Sequence, residues 1–193
     1  MSGLTTTGAT VLSGLDALPL SINVWRSLLV WMGGMGILVL VVAILPLLGV
    51  GGSQVFKAES TGVMKEAKLT PRIAETAKGL YTIYFAISLA CFFSLYFAGM
   101  GWADAFMHMC ATMGLGGFSS HDASFGHFNS PLIEAVTIVF MLIAGVNFSM
   151  HFLAWRRRSL SVYAHDPEGV RFFLLMVISV LTAALVNVND MDT

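Results

Sequence analysis

The chain has 193 residues, 56% of them hydrophobic and 11% charged, with a formal net charge of −1; its mean hydropathy is +0.80. A soluble domain carries about a quarter charged residues, so this composition excludes an ordinary water-soluble fold. The charge balance excludes a nucleic-acid partner, because phosphate binding needs a basic surface.

The chain opens on Gly3-Leu4-Thr5-Thr6-Thr7-Gly8-Ala9-Thr10-Val11, an uncharged loop rich in hydroxyls. A first span follows from Trp25 to Leu48, broken only by Arg26 in its first turn. It is long enough to cross a hydrocarbon core of about 30 Å. Pro46 is placed to kink its last turn, and Gly49, Gly51 and Gly52 to end it. The polar segment Ser53 to Lys78 carries Lys57, Lys65, Lys68, Arg72 and Lys78. Thr70 and Pro71 have the N-cap and N1 pairing of a helix start, and the apolar part of that helix, Gly79 to Met100, is a second span. Trp102 to Met113 is a helix too short to cross, with Asp104 in its first turn.

The central stretch is Cys110-Ala111-Thr112-Met113-Gly114-Leu115-Gly116-Gly117-Phe118-Ser119-Ser120-His121-Asp122. Glycine-rich, uncharged backbone at membrane depth is kept only where it lines a wet cavity or is buried in protein. Ser130 and Pro131 cap a third span that runs to Trp155, stopped by Arg156-Arg157-Arg158. Asp166, Pro167 and Glu168 start a fourth helix that crosses from Phe172 to Val188. The chain begins inside a motif and stops just after a helix, so a fragment of a longer membrane protein is expected. Cys91 and Cys110 lie in apolar segments without CxxC spacing and are expected to be small buried hydrophobes.

Nine of the ten Lys and Arg fall in the segments joining spans one to two and three to four. The positive-inside rule makes those segments cytoplasmic and brings both glycine loops in from outside. The exception is Arg26, for which snorkelling and a partner carboxylate are both open.

Setting Gly8 against Gly117 aligns Gly8-Ala9-Thr10 with Gly117-Phe118-Ser119. Pro19 and Pro131 follow, and fourteen residues after each comes a glycine, Gly33 or Gly145. The repeating unit is span, short helix, glycine loop, span, a plan common in transport proteins. The fold expected is therefore an all-α membrane protein built of helix, pore-loop, helix units. Residues 1–50 would hold the loop and second helix of repeat one, and 51–78 a cytoplasmic connection. Residues 79–155 would be a complete repeat two, 156–170 a second connection, and 171–193 the first helix of repeat three.

A cation that sheds its water needs a ring of oxygens in exchange, and backbone carbonyls supply it for potassium. Thr6 to Thr10 and Leu115 to Ser119 contain no charged residue. They offer carbonyls together with the hydroxyls of Thr6, Thr7, Thr10 and Ser119. Glycine at 8 and 117 permits the backbone angles that turn successive carbonyls to one axis. The short helix before the second loop points its partly negative end at the cavity, and Asp16 and Asp122 concentrate cations outside.

Four segments carry a family resemblance: Ser2 to Thr10, Trp31-Met32-Gly33-Gly34-Met35-Gly36, Leu69-Thr70-Pro71-Arg72-Ile73, and Gly116 to Asp122. With these the chain resembles the TrkH/KtrB superfamily of potassium transporters, nearest its bacterial TrkH branch. The resemblance implies four repeats around one ion path, each giving a filter strand with a central glycine. On it, Thr6, Thr7, Gly8, Ala9 and Thr10 belong to one potassium filter strand, and Leu115, Gly116, Gly117, Phe118 and Ser119 to the next. Potassium is then the transported substrate; the resemblance implies no cofactor and no enzyme activity. The implied partners are the remaining repeats, a second copy in a homodimer, the lipid bilayer and a cytoplasmic TrkA-like nucleotide-binding subunit docking on Gln54 to Lys78 and Arg156 to Glu168. The implied place is the bacterial inner membrane, multi-pass, with passive or symport-coupled uptake.

Other readings stay open at this point. Thr6, Thr7 and Ser119 are also helix-capping residues, and Gly33, Gly34 and Gly36 suit close packing between helices. His121, Asp122 and His127 could hold a metal, though their spacing fits no zinc signature. Asn147 and His151 are spaced to pair on span three, and Arg156 to Arg158 to anchor topology. A serine hydrolase would have to use Ser119 or Ser120 with His151, without a nucleophile-elbow motif. A membrane scaffold subunit is the third class.

Overall fold

The structure, a computed structural model, describes residues 1–47, 66–164 and 167–191. Its regular elements are all helical among the described residues. They are α1 (Leu20–Leu47), α2 (Glu66–Phe97), α3 (Trp102–Met113), α4 (Pro131–Gly145), α5 (Phe148–Arg157), α6 (Ser161–Ala164) and α7 (Pro167–Met191), with 3-10 turns at Leu15–Ala17 and Ser124–His127. The chain divides into two compact units, Met1–Phe148 and Ser149–Thr193.

In the first unit the shortest of the four helices is the innermost. Ala105 and every residue from Met107 to Met113 are buried, and α1, α2 and α4 all pack on α3. At 12 residues α3 is roughly 18 Å long. A helix that short is tolerated at membrane depth where protein surrounds it. The helices around it are apolar on both faces. On α2, Leu80, Tyr84, Ser88, Cys91 and Leu95 form a buried stripe at helical spacing. Phe85, Leu89, Phe93 and Phe97 on its other faces are exposed, as expected where the solvent is lipid. Thr76–Phe97 is long and apolar enough to cross a membrane. The 28 residues of α1 span roughly 42 Å.

Polar contacts set how α1 meets α2. The Trp31 indole N–H donates to Ser88 Oγ at 3.0 Å, and the Tyr84 hydroxyl donates to the Trp31 carbonyl at 3.1 Å. Gly34 makes room for Tyr84, since a Cβ there would lie 2.8 Å from the hydroxyl. Gly33 packs on a loop instead of a helix, its added Cβ only 2.3 Å from the Leu4 carbonyl oxygen, and Gly36 has nothing within 4 Å. Close packing therefore accounts for two of the three glycines. Cys91 and Cys110 are free and buried.

The helix bounds depart from the sequence expectation most in two places. α2 starts at Glu66, so Thr70 and Pro71 lie inside it and do not begin it. Glu66, Ala67, Lys68 and Leu69 are strong helix formers and carry the helix back past the proline. The third span is not one helix: α4 ends at Gly145 and Val146 is extended, with φ −75° and ψ 141°. Gly145, Val146 and Asn147 are weak helix formers in succession, and leaving the helix buries Val146 and Phe148. Phe148 then packs on the Tyr84 ring at 5.4 Å between centroids. Asn147 consequently lies outside the helix that holds His151. The glycines at 49, 51 and 52 and the polar connection through Lys65 lie outside the described residues.

In the second unit, α6 packs on α7, and His151 Nδ1 and the Tyr163 hydroxyl lie 2.8 Å apart. Pro167 occupies the first position of α7, where its missing N–H costs nothing. Arg156, Arg157 and Arg158 are all exposed at the end of α5.

Candidate functional site

The α3 helix ends in a Schellman motif. The Leu115 N–H donates to the Thr112 carbonyl at 3.2 Å and the Gly116 N–H to the Ala111 carbonyl at 3.0 Å. Leu115 is left-handed with φ 51°, and two residues on Gly117 is left-handed again, with φ 66°. Glycine usually fills the first of these positions, so Leu115 gave no sequence signal of its conformation.

The opening loop closes in the same way. Thr6 N–H donates to Gly3 and Thr7 N–H to Ser2, both at 3.1 Å. Thr6 is left-handed with φ 51° and Gly8 with φ 73°. A third bond also repeats: Thr5 N–H to Met1, matched by Gly114 N–H to Cys110, each 3.1 Å. Residue for residue, this is the register that sets Gly8 against Gly117. We refer to the two loops as hairpins one and two.

The hairpins touch backbone to backbone. A Cβ on Gly8 would lie 2.4 Å from the Gly116 carbonyl oxygen and 3.9 Å from Gly117 Cα. Behind the contact stands Val30 of α1, fully buried. A Cβ on Gly114 or Gly116 would strike it, at 2.6 Å from its carbonyl oxygen and 2.3 Å from Cγ1 respectively. Phe118 turns its ring inward onto Val30 and Ala111. Thr7, Ala9, Thr10, Leu115 and Gly117 are exposed, Thr6, Gly8 and Ser119 half-buried, Gly116 and Phe118 buried.

Three of the four expected hydroxyls have structural partners. Thr10 Oγ1 accepts from Arg26 at 3.1 Å, and Thr7 Oγ1 pairs with Thr5 Oγ1 at 2.8 Å. Ser119 Oγ lies 3.1 Å from His108 Nε2 and accepts the His121 N–H at 3.1 Å. What these segments chiefly offer an ion is backbone carbonyl. Among the described residues Arg26 meets no carboxylate: it donates to Asn23 Oδ1 at 3.0 Å and to Thr10. Its guanidinium lies 4.9 Å from the centre of the Phe118 ring, so one side chain holds both hairpins.

The outer acids are also engaged. Asp122 accepts the Leu15 N–H on both oxygens, at 3.2 and 3.1 Å. Asp16 meets His121 Nδ1 and accepts the Asp122 N–H at 3.4 Å. The His121 hydrogen bond, followed by that N–H, holds the Asp16 carboxyl below the usual carboxylate range. His121 Nε2 lies 3.1 Å from Asp104 Oδ1, to which Ser120 donates at 2.9 Å. The metal-type cluster is thus Asp16, His121 and His127, with Asp16 in the place expected for Asp122.

Of the residues a serine hydrolase would use, Ser119 pairs with His108, Ser120 donates to Asp104 and His151 pairs with Tyr163. Sequence reasoning passed over Asn23 and gave no role to His108. Both are buried polar residues within apolar helices, which is itself a signal that they do something specific.

A family model described as TrkH, cation transport protein, matches residues 1–192. The Trk system potassium uptake protein TrkH of Escherichia coli (strain K12) is 50% identical over 201 residues, covering 98% of this chain and 42% of the relative. The Trk system potassium uptake protein TrkG of the same strain is 41% identical over 181 residues, covering 94% and 37%. The crystal structure of the potassium transporter TrkH from Vibrio parahaemolyticus superimposes with a TM-score of 0.79 at 46% identity, over 92% of this chain and 35% of that one. The chain therefore spans well under half the length of these relatives.

Proposed function

This chain belongs to the TrkH family of cation transport proteins, and on that premise we propose that it supplies two of the filter strands of a potassium uptake protein. Thr6 to Thr10 is one strand and Leu115 to Ser119 the next. The observation that carries this reading is the shared backbone: left-handed residues at Thr6 and Gly8, and again at Leu115 and Gly117, in two loops that touch. In an ordinary strand successive peptides point to opposite sides. A left-handed residue at every second position flips alternate peptides, so that carbonyl oxygens gather on one side.

A potassium ion entering from outside exchanges water for these oxygens. No charged side chain lies in either strand, so the ion is held by dipoles and leaves again. The C-terminus of α3 runs directly into hairpin two and adds a partial negative charge behind it. Residues 1–50 then belong to repeat one, 79–155 to repeat two and 171–193 to repeat three, with 51–78 and 156–170 joining them on the cytoplasmic side. The remaining oxygens come from the other repeats of the longer polypeptide. A second copy and a TrkA-like nucleotide-binding subunit complete the assembly in a bacterial inner membrane, where the membrane potential drives uptake.

The test is ion influx into liposomes holding the full-length protein. Potassium entering far faster than sodium supports the reading. No flux, or equal flux of both ions, overturns it.

A further inference from the structure

Three donors of a kind that binds transition metals lie just outside the two hairpins. Asp16 follows hairpin one, and His121 and His127 follow hairpin two. One ligand atom from each lies within 4.8 Å of the others. His121 and His127 stack in parallel, 3.6 Å between ring centres with 3° between planes. His121 is held from behind by Asp104 at 3.1 Å, the carboxylate–histidine arrangement that orients metal ligands. Asp16 and His127 are exposed, so water and ions reach them.

We propose that Asp16, His121 and His127 bind one zinc-class divalent ion at the outer mouth and that the bound ion pins the two hairpins together. Two imidazoles and a carboxylate, with water in the fourth place, suit tetrahedral zinc, whereas magnesium and calcium prefer oxygen alone. Bonds of about 2.1 Å place tetrahedral ligands roughly 3.4 Å apart. Closing from 4.8 Å asks for rotation of Asp16 and for His127 to turn out of its stack on His121, because an ion lies in the plane of each imidazole that binds it. Zinc displaces His121 from its bond with Asp16 and replaces that bond with a shared ion. Because Asp16 and His121 follow different hairpins, the ion fixes the spacing of the strands below it. The effect on flux rests on the function proposed above, while the binding does not.

Zinc binding to the full-length protein is measured by competition with a chromophoric chelator, beside potassium influx with zinc added outside. The expected result is one ion bound per chain, weakened more than about tenfold in both His127→Ala and Asp16→Asn. External zinc should slow wild-type influx reversibly on chelation, and the fractional block should shrink in both variants. Magnesium should do neither. Zinc binding that is equal in the wild type and both variants overturns the site. Binding that the variants weaken, with influx unaffected, keeps the site and overturns the pinning. If potassium influx is absent even without zinc, the proposed function fails and the binding measurement alone decides the site.

Discussion

Hairpins one and two share a backbone and differ in what holds it. Hairpin two grows out of α3, buried on nearly every side, and its Phe118, Ser119 and Ser120 are tied to Val30, His108 and Asp104. Hairpin one is held by α1, through Arg26 on Thr10 and Gly33 beneath Leu4, and by the edge of hairpin two. The same pair of left-handed angles is thus reached from different surroundings. The lesson is that the conformation is specified locally, by the Schellman bonds and the glycine after them, while the placement of each hairpin is specified by its neighbours.

The central glycines separate these two contributions. At Gly8 a Cβ meets both a left-handed backbone and a carbonyl oxygen 2.4 Å away; at Gly117 it meets the backbone angle and nothing else in this chain within 4 Å. Gly8→Ala carries roughly 1–2 kcal/mol of backbone strain plus a clash that only movement of hairpin two relieves. Potassium influx should fall more than about tenfold, and near-normal influx would falsify the contact between strands. Gly117→Ser carries the strain alone. It should leave influx measurable but lower the preference for potassium over sodium, and an unchanged ratio in a two-ion uptake assay counts against its place in the filter.

A smaller effect is expected at the side chain shared by the hairpins. Arg26→Leu removes two charge-assisted hydrogen bonds and the stacking over Phe118, about 2 kcal/mol in all. Hairpin one has fewer other supports, so amide exchange should rise more in residues 3–10 than in 114–120. Equal protection in both would show that Arg26 does not discriminate between them. Smallest of all is Tyr84→Phe, which deletes one hydrogen bond behind both hairpins, about 1 kcal/mol. A slight loss of thermal stability with an unchanged ion preference is expected; altered selectivity would mean that the α1–α2 contact tunes the strands directly.

Much of this was legible in the residues. The bounds of α3 follow from an apolar run between Gly101 and Gly114, and the pairing of Gly8 with Gly117 from Gly-x-Thr/Ser and the prolines after it. The break at Val146 was concealed because the apolar run continues through it. The partners of the hydroxyls were hidden for a similar reason, since Thr10 and Ser119 carry no mark of Arg26 or His108, which approach from other parts of the chain.

Composition and periodicity by themselves determined a helical membrane protein with two uncharged glycine loops, because burial of apolar length in lipid and the steric freedom of glycine are local properties. That Asp16 meets His121 instead of standing free, and that Arg26 clasps both loops, were decided only by tertiary structure. Those features depend on which backbone oxygens and side chains arrive from distant segments, and no spacing along the chain encodes that arrival.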